Sequence, residues 1–198
     1  MAAAETQPHQ THAPTLSKVA GLVLSEESMP TLADQLADRI NEGADVLAAF
    51  ARDLSDAQWR AVVKPDGRTV GVIVHHVGNM YPIEMDLVHK AVESQPITDV
   101  TWDLVAQINA AHAKEHAAVT KAAALDLLAR NSRQASDEIR RLTDAELARA
   151  VPFSLSYGAP MTVQFIIEDH PLRHPWHHLA RIRRSLGLPS NSGTAARA

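Results

Sequence analysis

The spacing of apolar residues along the chain predicts four long helical segments. In each of them apolar positions recur every three or four residues, which is the period of an amphipathic helix packed on one face. The predicted segments span residues 31–54, 69–93, 101–142 and 162–186. A threonine at position 120 could cap a second half of the third segment, so that segment is open to a break there.

The connections between these segments predict short helical turns and one loop. Ser55 to Gln58 and Thr143 to Glu146 both match the capping box, in which a Ser or Thr side chain and a Glu or Gln three residues later open a helix. Pro and Gly recur within residues 151–160, which predicts a loop. No alternation of apolar and polar residues there is long enough to indicate a strand. The pattern predicts an all-α fold, an antiparallel four-helix bundle with short extra helical turns.

The ends of the chain differ in composition from its middle. Residues 1–29 are rich in Ala, Thr, Gln, Pro and Ser and predict a mobile extension. Gly187 and Pro189 form a stop signal for the last helix, and residues 188–198 predict a disordered tail. The interpretation is therefore one bundle domain over residues 30–187 between two mobile termini.

Composition narrows the classes of function. The 198 residues carry a formal charge of −4 and no cysteine, with 45% hydrophobic but only 4% aromatic residues. An acidic balance argues against nucleic-acid partners, and no apolar run is long enough to span a membrane. We therefore expect a cytoplasmic protein that acts on a small molecule. Any transition-metal site would have to use nitrogen and oxygen ligands.

Histidines supply the candidate chemistry, because eleven of them are present and several are clustered. His174 and His178 lie one helical turn apart in the last segment, so both side chains can reach the same point. In the second segment the neighbours of His76 are mostly apolar, which predicts that it points into the bundle. His76, His174 and His178 are therefore the predicted metal ligands. The alternative is that each is a hydrogen-bonded histidine of the core.

The remaining histidines are predicted to lie outside this site. Helical phase places His75 toward a thinner or exposed face, and it turns His170 and His177 outward. His112 and His116 form another pair four residues apart, but their polar neighbours favour a solvated face. That pair remains a supplementary source of ligands.

The supporting residues follow from proximity along the helices. Asn79, Glu168 and Asp169 are predicted to orient the imidazoles of the site through hydrogen bonds. Pro171 and Pro175 interrupt the ligand helix, so it either bends at the site or restarts near Pro175. Zinc is the preferred metal, while nickel and iron also suit imidazole ligands.

Two stretches carry a resemblance to a known family. TVGVIVHHV at residues 69–77 and HPWHHLARI at residues 174–182, in this order and helical context, resemble the DinB-like superfamily of metal-binding four-helix bundles. Its relatives include bacterial thiol-dependent transferases and the N-terminal domain of mycothiol-dependent maleylpyruvate isomerase. The resemblance implies His76 as the ligand seven residues after a Ser or Thr, with His174 and His178 four residues apart on the last helix.

The resemblance also implies an activity and an assembly. It favours an external low-molecular-weight thiol as a co-reactant, and family analogy favours a homodimer. His174 stands where the isomerase branch has glutamate, so that particular isomerisation is not expected here.

Three histidine ligands leave at least one coordination position open, which is typical of catalytic zinc. We therefore expect a metal-dependent enzyme that activates such a thiol or water, of the thiol transferase or hydrolase type. The alternative is a non-catalytic helical bundle that binds a metal or a ligand, with a role in stress or in interaction with a partner.

Overall fold

A computed structural model describes residues 29–189 of the chain. The predicted extension over residues 1–29 and the predicted tail over 188–198 therefore lie almost entirely outside the described residues. The first part of the chain forms six helices, namely α1 (Leu32–Arg52), α2 (Asp56–Arg60), α3 (Val70–Val92), α4 (Trp102–Glu115), α5 (Lys121–Ile139) and α6 (Asp144–Leu147). They correspond closely to the first three predicted segments and the two predicted helical turns.

Side-chain caps define where these helices begin. The capping boxes predicted at Ser55 and Thr143 are both confirmed, and Thr31 forms a third with Asp34. Thr120 caps α5, so the third predicted segment does break there. Each such cap satisfies backbone N–H groups of the first turn, which typically contributes about 1 kcal/mol.

The loop predicted over residues 151–160 is wrong in part, because this stretch contributes to a small hairpin. Strand β1 (Ala150–Phe153) pairs antiparallel with β2 (Ala159–Thr162) around a short 3₁₀ turn. Val151 and Phe153 are buried while Ala150 and Pro152 are exposed. Four residues of alternation are too few to distinguish a strand from a loop in sequence.

The last predicted segment is interrupted by a π-helical turn. It begins as α7 (Val163–Ile167), widens into the turn Glu168–Leu172, and continues as α8 (Arg173–Ser185). Pro171 lies within the π turn and Pro175 within the first turn of α8. Both prolines are thus placed where a missing backbone N–H is tolerated. Gly187 adopts a φ of 68° just after the helix, which confirms the predicted stop signal.

The four-helix bundle is formed by α1, α3, α5 and the segment that contains α7 and α8. Its core consists mainly of Leu, Ile, Val and Ala side chains, which are joined by Trp59, Tyr81, Met85 and Phe153. A Cβ atom on Gly78 would lie 2.8 Å from the backbone nitrogen of Leu128, so this glycine allows α3 and α5 to pack closely. Within residues 29–189, no helix combines the length and the apolar character that crossing a membrane requires.

Candidate metal centre

The first histidine cluster contains the three residues predicted as ligands. His76 on α3 meets His174 and His178 on α8, and one ring nitrogen of each lies within 4.8 Å of the others. The ring centroids are separated by 5.0 Å for His76 and His174, 5.3 Å for His76 and His178, and 4.8 Å for His174 and His178. Two helices that are distant in sequence therefore bring three imidazoles to one point.

Burial keeps these rings in the protonation state that a metal needs. His76 and His178 are 3% and 5% exposed. Burial, aided by the nearby His174, lowers the pKa of His76 to about 2, and the same causes lower the pKa of His178 well below its ordinary value. Both rings are neutral at pH 7, so their lone pairs are available to a cation.

Unpaired ring nitrogens show that the cluster is not a self-satisfied hydrogen-bond network. The Nδ1 atoms of His76, His174 and His178 are all buried without an aligned hydrogen-bond partner. Buried polar atoms are normally paired, and leaving one unpaired costs about 1–3 kcal/mol. The donor set, three imidazoles from two helices, fits a divalent transition metal with an open position.

A buried glutamate, not predicted from the sequence, lies next to this cluster. Glu84 on α3 places its Oε1 atom 2.7 Å from Nδ1 of His174, at charge-pair distance although without hydrogen-bond alignment. Its other oxygen, Oε2, is buried without a partner. The sequence does contain a signal that Glu84 is buried. Its neighbours Tyr81 and Val88, about one helical turn away on either side, are both apolar.

The carboxylates that were predicted to support the imidazoles are engaged elsewhere. Glu168 pairs with Arg39 at 3.4 Å, and Asp169 pairs with Arg173 at 3.0 Å. Both belong to the π turn, and their prediction rested on proximity to the ligand histidines along the chain. Asn79 is half-buried on α3 and makes no side-chain hydrogen bond within residues 29–189. The carboxylate beside the cluster is Glu84.

A second histidine cluster adjoins the first and was not expected. His75 on α3 meets His112 and His116 of the α4 end, with one ring nitrogen of each within 4.8 Å of the others. The predictions that His75 lies toward an exposed face and that His112 is solvated are wrong, since they are 9% and 6% exposed. The reason is that α4 packs across α3 at this point, which a single-helix pattern cannot reveal.

The two remaining histidines of the last segment behave differently. His177 is exposed, as predicted. The outward position predicted for His170 is wrong, because its side chain is only 15% exposed and its ring meets the Phe153 ring edge-on at 5.4 Å. The π turn that contains His170 shifts its direction relative to a regular helix.

A cavity of about 430 Å³ opens from the first cluster. His76, His174 and His178 lie on its wall, together with Glu84. Its apolar part comes from α3, α4 and the segments around them: Met80, Ile83, Leu87, Val100, Trp102, Leu104, Val105, Ile108 and Leu155. A volume of this size accommodates a small organic molecule.

Three arginines lie on the cavity wall, and each of them pairs with an aspartate. Arg68, Arg173 and Arg181 line it. Asp66 holds Arg68 through contacts of 2.6 and 2.9 Å and also contacts Arg181 at 3.4 Å. Burial by itself would raise the pKa of Asp66. The hydrogen bonds and charge of Arg68, together with the charge of Arg181, outweigh this effect and hold the pKa of Asp66 below its usual value. Nη1 of Arg68 is buried without a partner, which leaves one donor of a fixed guanidinium group free.

Comparison with known proteins agrees with the fold. The family model of the DinB superfamily matches residues 39–182. A similar solved structure is that of YfiT from Bacillus subtilis, described as a probable metal-dependent hydrolase with an unusual four-helix bundle topology. It is 18% identical, covers 90% of this chain and 95% of its own, and superposes with a TM-score of 0.64. No curated protein matches the chain.

Proposed function

The chain belongs to the DinB superfamily, and on that premise we propose that it is a metal-dependent enzyme whose divalent ion is held by His76, His174 and His178. The observation that carries the proposal is the position of these three imidazoles on the wall of a cavity. A cluster that served only to stabilise the bundle would not need an adjoining cavity of about 430 Å³.

The ion would supply Lewis-acid activation of water or of an external low-molecular-weight thiol at neutral pH. Zinc is our preferred identity for it, since three imidazoles and an open position are a ligand set of catalytic zinc. A thiol co-reactant would come from outside, because the chain has no cysteine.

Glu84 has two tasks in this proposal. Its Oε1 atom, 2.7 Å from Nδ1 of His174, fixes the orientation of that ring. Its unpaired Oε2 atom is in the same cavity wall and can accept the proton that the attacking water or thiol releases. Carboxylates in this position contribute typically about 10² to 10⁴ in rate as general bases.

The substrate we propose is a small molecule with an anionic group and an apolar body. The free Nη1 donor of Arg68 and the guanidinium groups of Arg173 and Arg181 would bind a carboxylate or phosphate. The apolar side chains of α3 and α4 would cover the rest of the molecule. This combination orients the substrate, with its anionic end at the arginines and its reacting bond toward the histidines.

Cobalt substitution tests whether the site has an open position within reach of the cavity. Wild-type protein is loaded with Co²⁺, and its visible spectrum is recorded before and after addition of 2-mercaptoethanol or of glutarate. We expect both probes to change the d–d bands in wild type and in His177→Ala, with an added thiolate charge-transfer band for mercaptoethanol. His178→Ala should lack the Co²⁺ bands that respond to the probes in wild type. A wild-type spectrum that neither probe alters would indicate a closed, structural site and contradict the proposal.

A further inference from the structure

We propose that His75, His112 and His116 form a second divalent-metal site, distinct from the first, which fastens α4 to α3. His75 lies on α3, His112 on α4 and His116 at the C-cap of α4, and one ring nitrogen of each lies within 4.8 Å of the others. Their ring centroids are separated by 5.0 Å for His75 and His112, 4.1 Å for His75 and His116, and 4.6 Å for His112 and His116. The spacing of His112 and His116, four residues apart at a helix end, is a common arrangement of metal ligands.

Hydrogen bonding among the rings does not by itself account for the cluster. Nδ1 of His75 lies 2.8 Å from Nε2 of His112, so one proton can be shared between these two atoms. Nδ1 of His112 nevertheless stays buried without a partner. Three imidazoles in contact share one internal hydrogen bond, whereas a divalent ion would engage a lone pair of each ring.

The charged groups near the second cluster do not oppose the binding of a cation. The carboxylate of Glu115 lies 3.9 Å from Nε2 of His116, and it is exposed to solvent. The charge of Arg68 acts on His112, but it is already compensated by Asp66. One acidic group and three imidazole rings therefore surround the candidate position.

The position of the cluster suggests what the ion would do. Although α4 is fourteen residues long, His112 is its one buried residue. The same helix contributes Val105, Ile108 and Asn109 to the wall of the cavity at the first cluster. An ion bound to His75, His112 and His116 would therefore hold a cavity wall that apolar packing holds only weakly. The role is structural, and it does not depend on the chemistry proposed for the first site.

Metal stoichiometry tests the second site directly. Protein freed of metal by a chelator is equilibrated with Zn²⁺ by dialysis, and bound zinc is measured by elemental analysis. We expect two equivalents in wild type, one in His116→Ala, one in His178→Ala and none in the double variant. His89→Ala serves as the matched control, because His89 lies on α3 outside both clusters and should leave both equivalents in place.

Hydrogen exchange in the same samples separates a structural ion from adventitious binding. Zinc should slow amide exchange in α4 of wild type and of His178→Ala, but not in His116→Ala. If His116→Ala retains as much zinc as wild type, or if zinc leaves exchange in α4 unchanged, the inference is overturned. Loss of the first site alone would appear in His178→Ala, so failure of the two proposals can be distinguished.

Discussion

Oε1 of Glu84 lies 2.7 Å from Nδ1 of His174, and the two residues come from α3 and α8. This contact joins a buried carboxylate to one of three clustered imidazoles. In the proposed metal site, this contact would orient the ring of His174. The contact has a counterpart on the surface, where Glu138 lies 3.0 Å from Nε2 of His89.

Replacing Glu84 by glutamine should weaken metal binding. Carboxylates that orient a ligating histidine typically contribute about 10- to 100-fold in metal affinity. We expect Glu84→Gln to raise the Kd for zinc by that factor, measured by competition with a chromophoric chelator. Glu138→Gln changes an equivalent pair outside the site and should leave the Kd unchanged. Equal affinities in both variants would show that the Glu84 contact does not support the site.

The stability of the metal-free protein should fall in mild acid. The folded state keeps His76 neutral, with a pKa of about 2, whereas in the unfolded chain it takes up a proton below about pH 6.5. The unfolded state therefore binds more protons below pH 6.5, and stability is lost as pH falls through that value, by up to about 1.4 kcal/mol per pH unit for this ring.

Urea unfolding at pH 7.5 and pH 5.0 in the presence of a chelator measures this dependence. His76→Asn should show a smaller loss of unfolding free energy between these pH values than wild type. His89→Asn, a change on the exposed part of the same helix, should behave like wild type. The assignment fails if His76→Asn and wild type lose the same free energy.

Close packing at Gly78 should be sensitive to a single methyl group. An added Cβ would lie 2.8 Å from the backbone nitrogen and 2.9 Å from Cα of Leu128, and neither atom can move without shifting α5. We expect Gly78→Ala to destabilise the protein by about 1–3 kcal/mol. In Gly43→Ala the new Cβ would meet the side chains of Trp176 and Pro175 instead, and we expect a smaller loss. Thermal unfolding of the two variants makes the comparison, and a greater loss in Gly43→Ala would contradict it.

Arg68 should contribute to anion binding through its free Nη1 donor. Arg68→Lys retains a positive charge beside Asp66 but loses the forked geometry of the guanidinium group. We expect it to raise the Kd of glutarate about tenfold, as the loss of one charge-assisted hydrogen bond would do. Arg184→Lys, an exposed change near the end of α8, is the control. Calorimetry on zinc-loaded protein measures both, and an unchanged Kd in Arg68→Lys would remove this residue from the site.

Periodicity and caps determined much of the fold in advance. Apolar spacing located the bundle helices, and Ser55, Thr120 and Thr143 marked starts that the structure confirms. The hairpin was missed because two strands of four residues leave too little alternation. These strands are stabilised by pairing with each other, a contact that does not appear in local sequence.

The candidate site was predictable where regular helical phase holds. His76 and His178 lie on the buried face that a regular helix predicts, and they are brought together with His174. The predicted direction failed for His170 at the π turn, where Glu168 and Asp169 pair with arginines. The predicted exposure was also wrong where α3 and α4 cover each other. Burial of His75 and His112 is a property of the α3–α4 contact, so neither helix alone could indicate it.

The central claim is that His76, His174 and His178 hold a divalent metal, and one comparison of zinc content tests it most directly. The His116→Ala background removes a ligand of the proposed second site and leaves the first cluster intact. In that background, elemental analysis after equilibrium dialysis should find one equivalent of zinc. Adding His177→Ala should leave that equivalent in place, whereas adding His178→Ala should remove it. Equal zinc contents in the two double variants would contradict the claim.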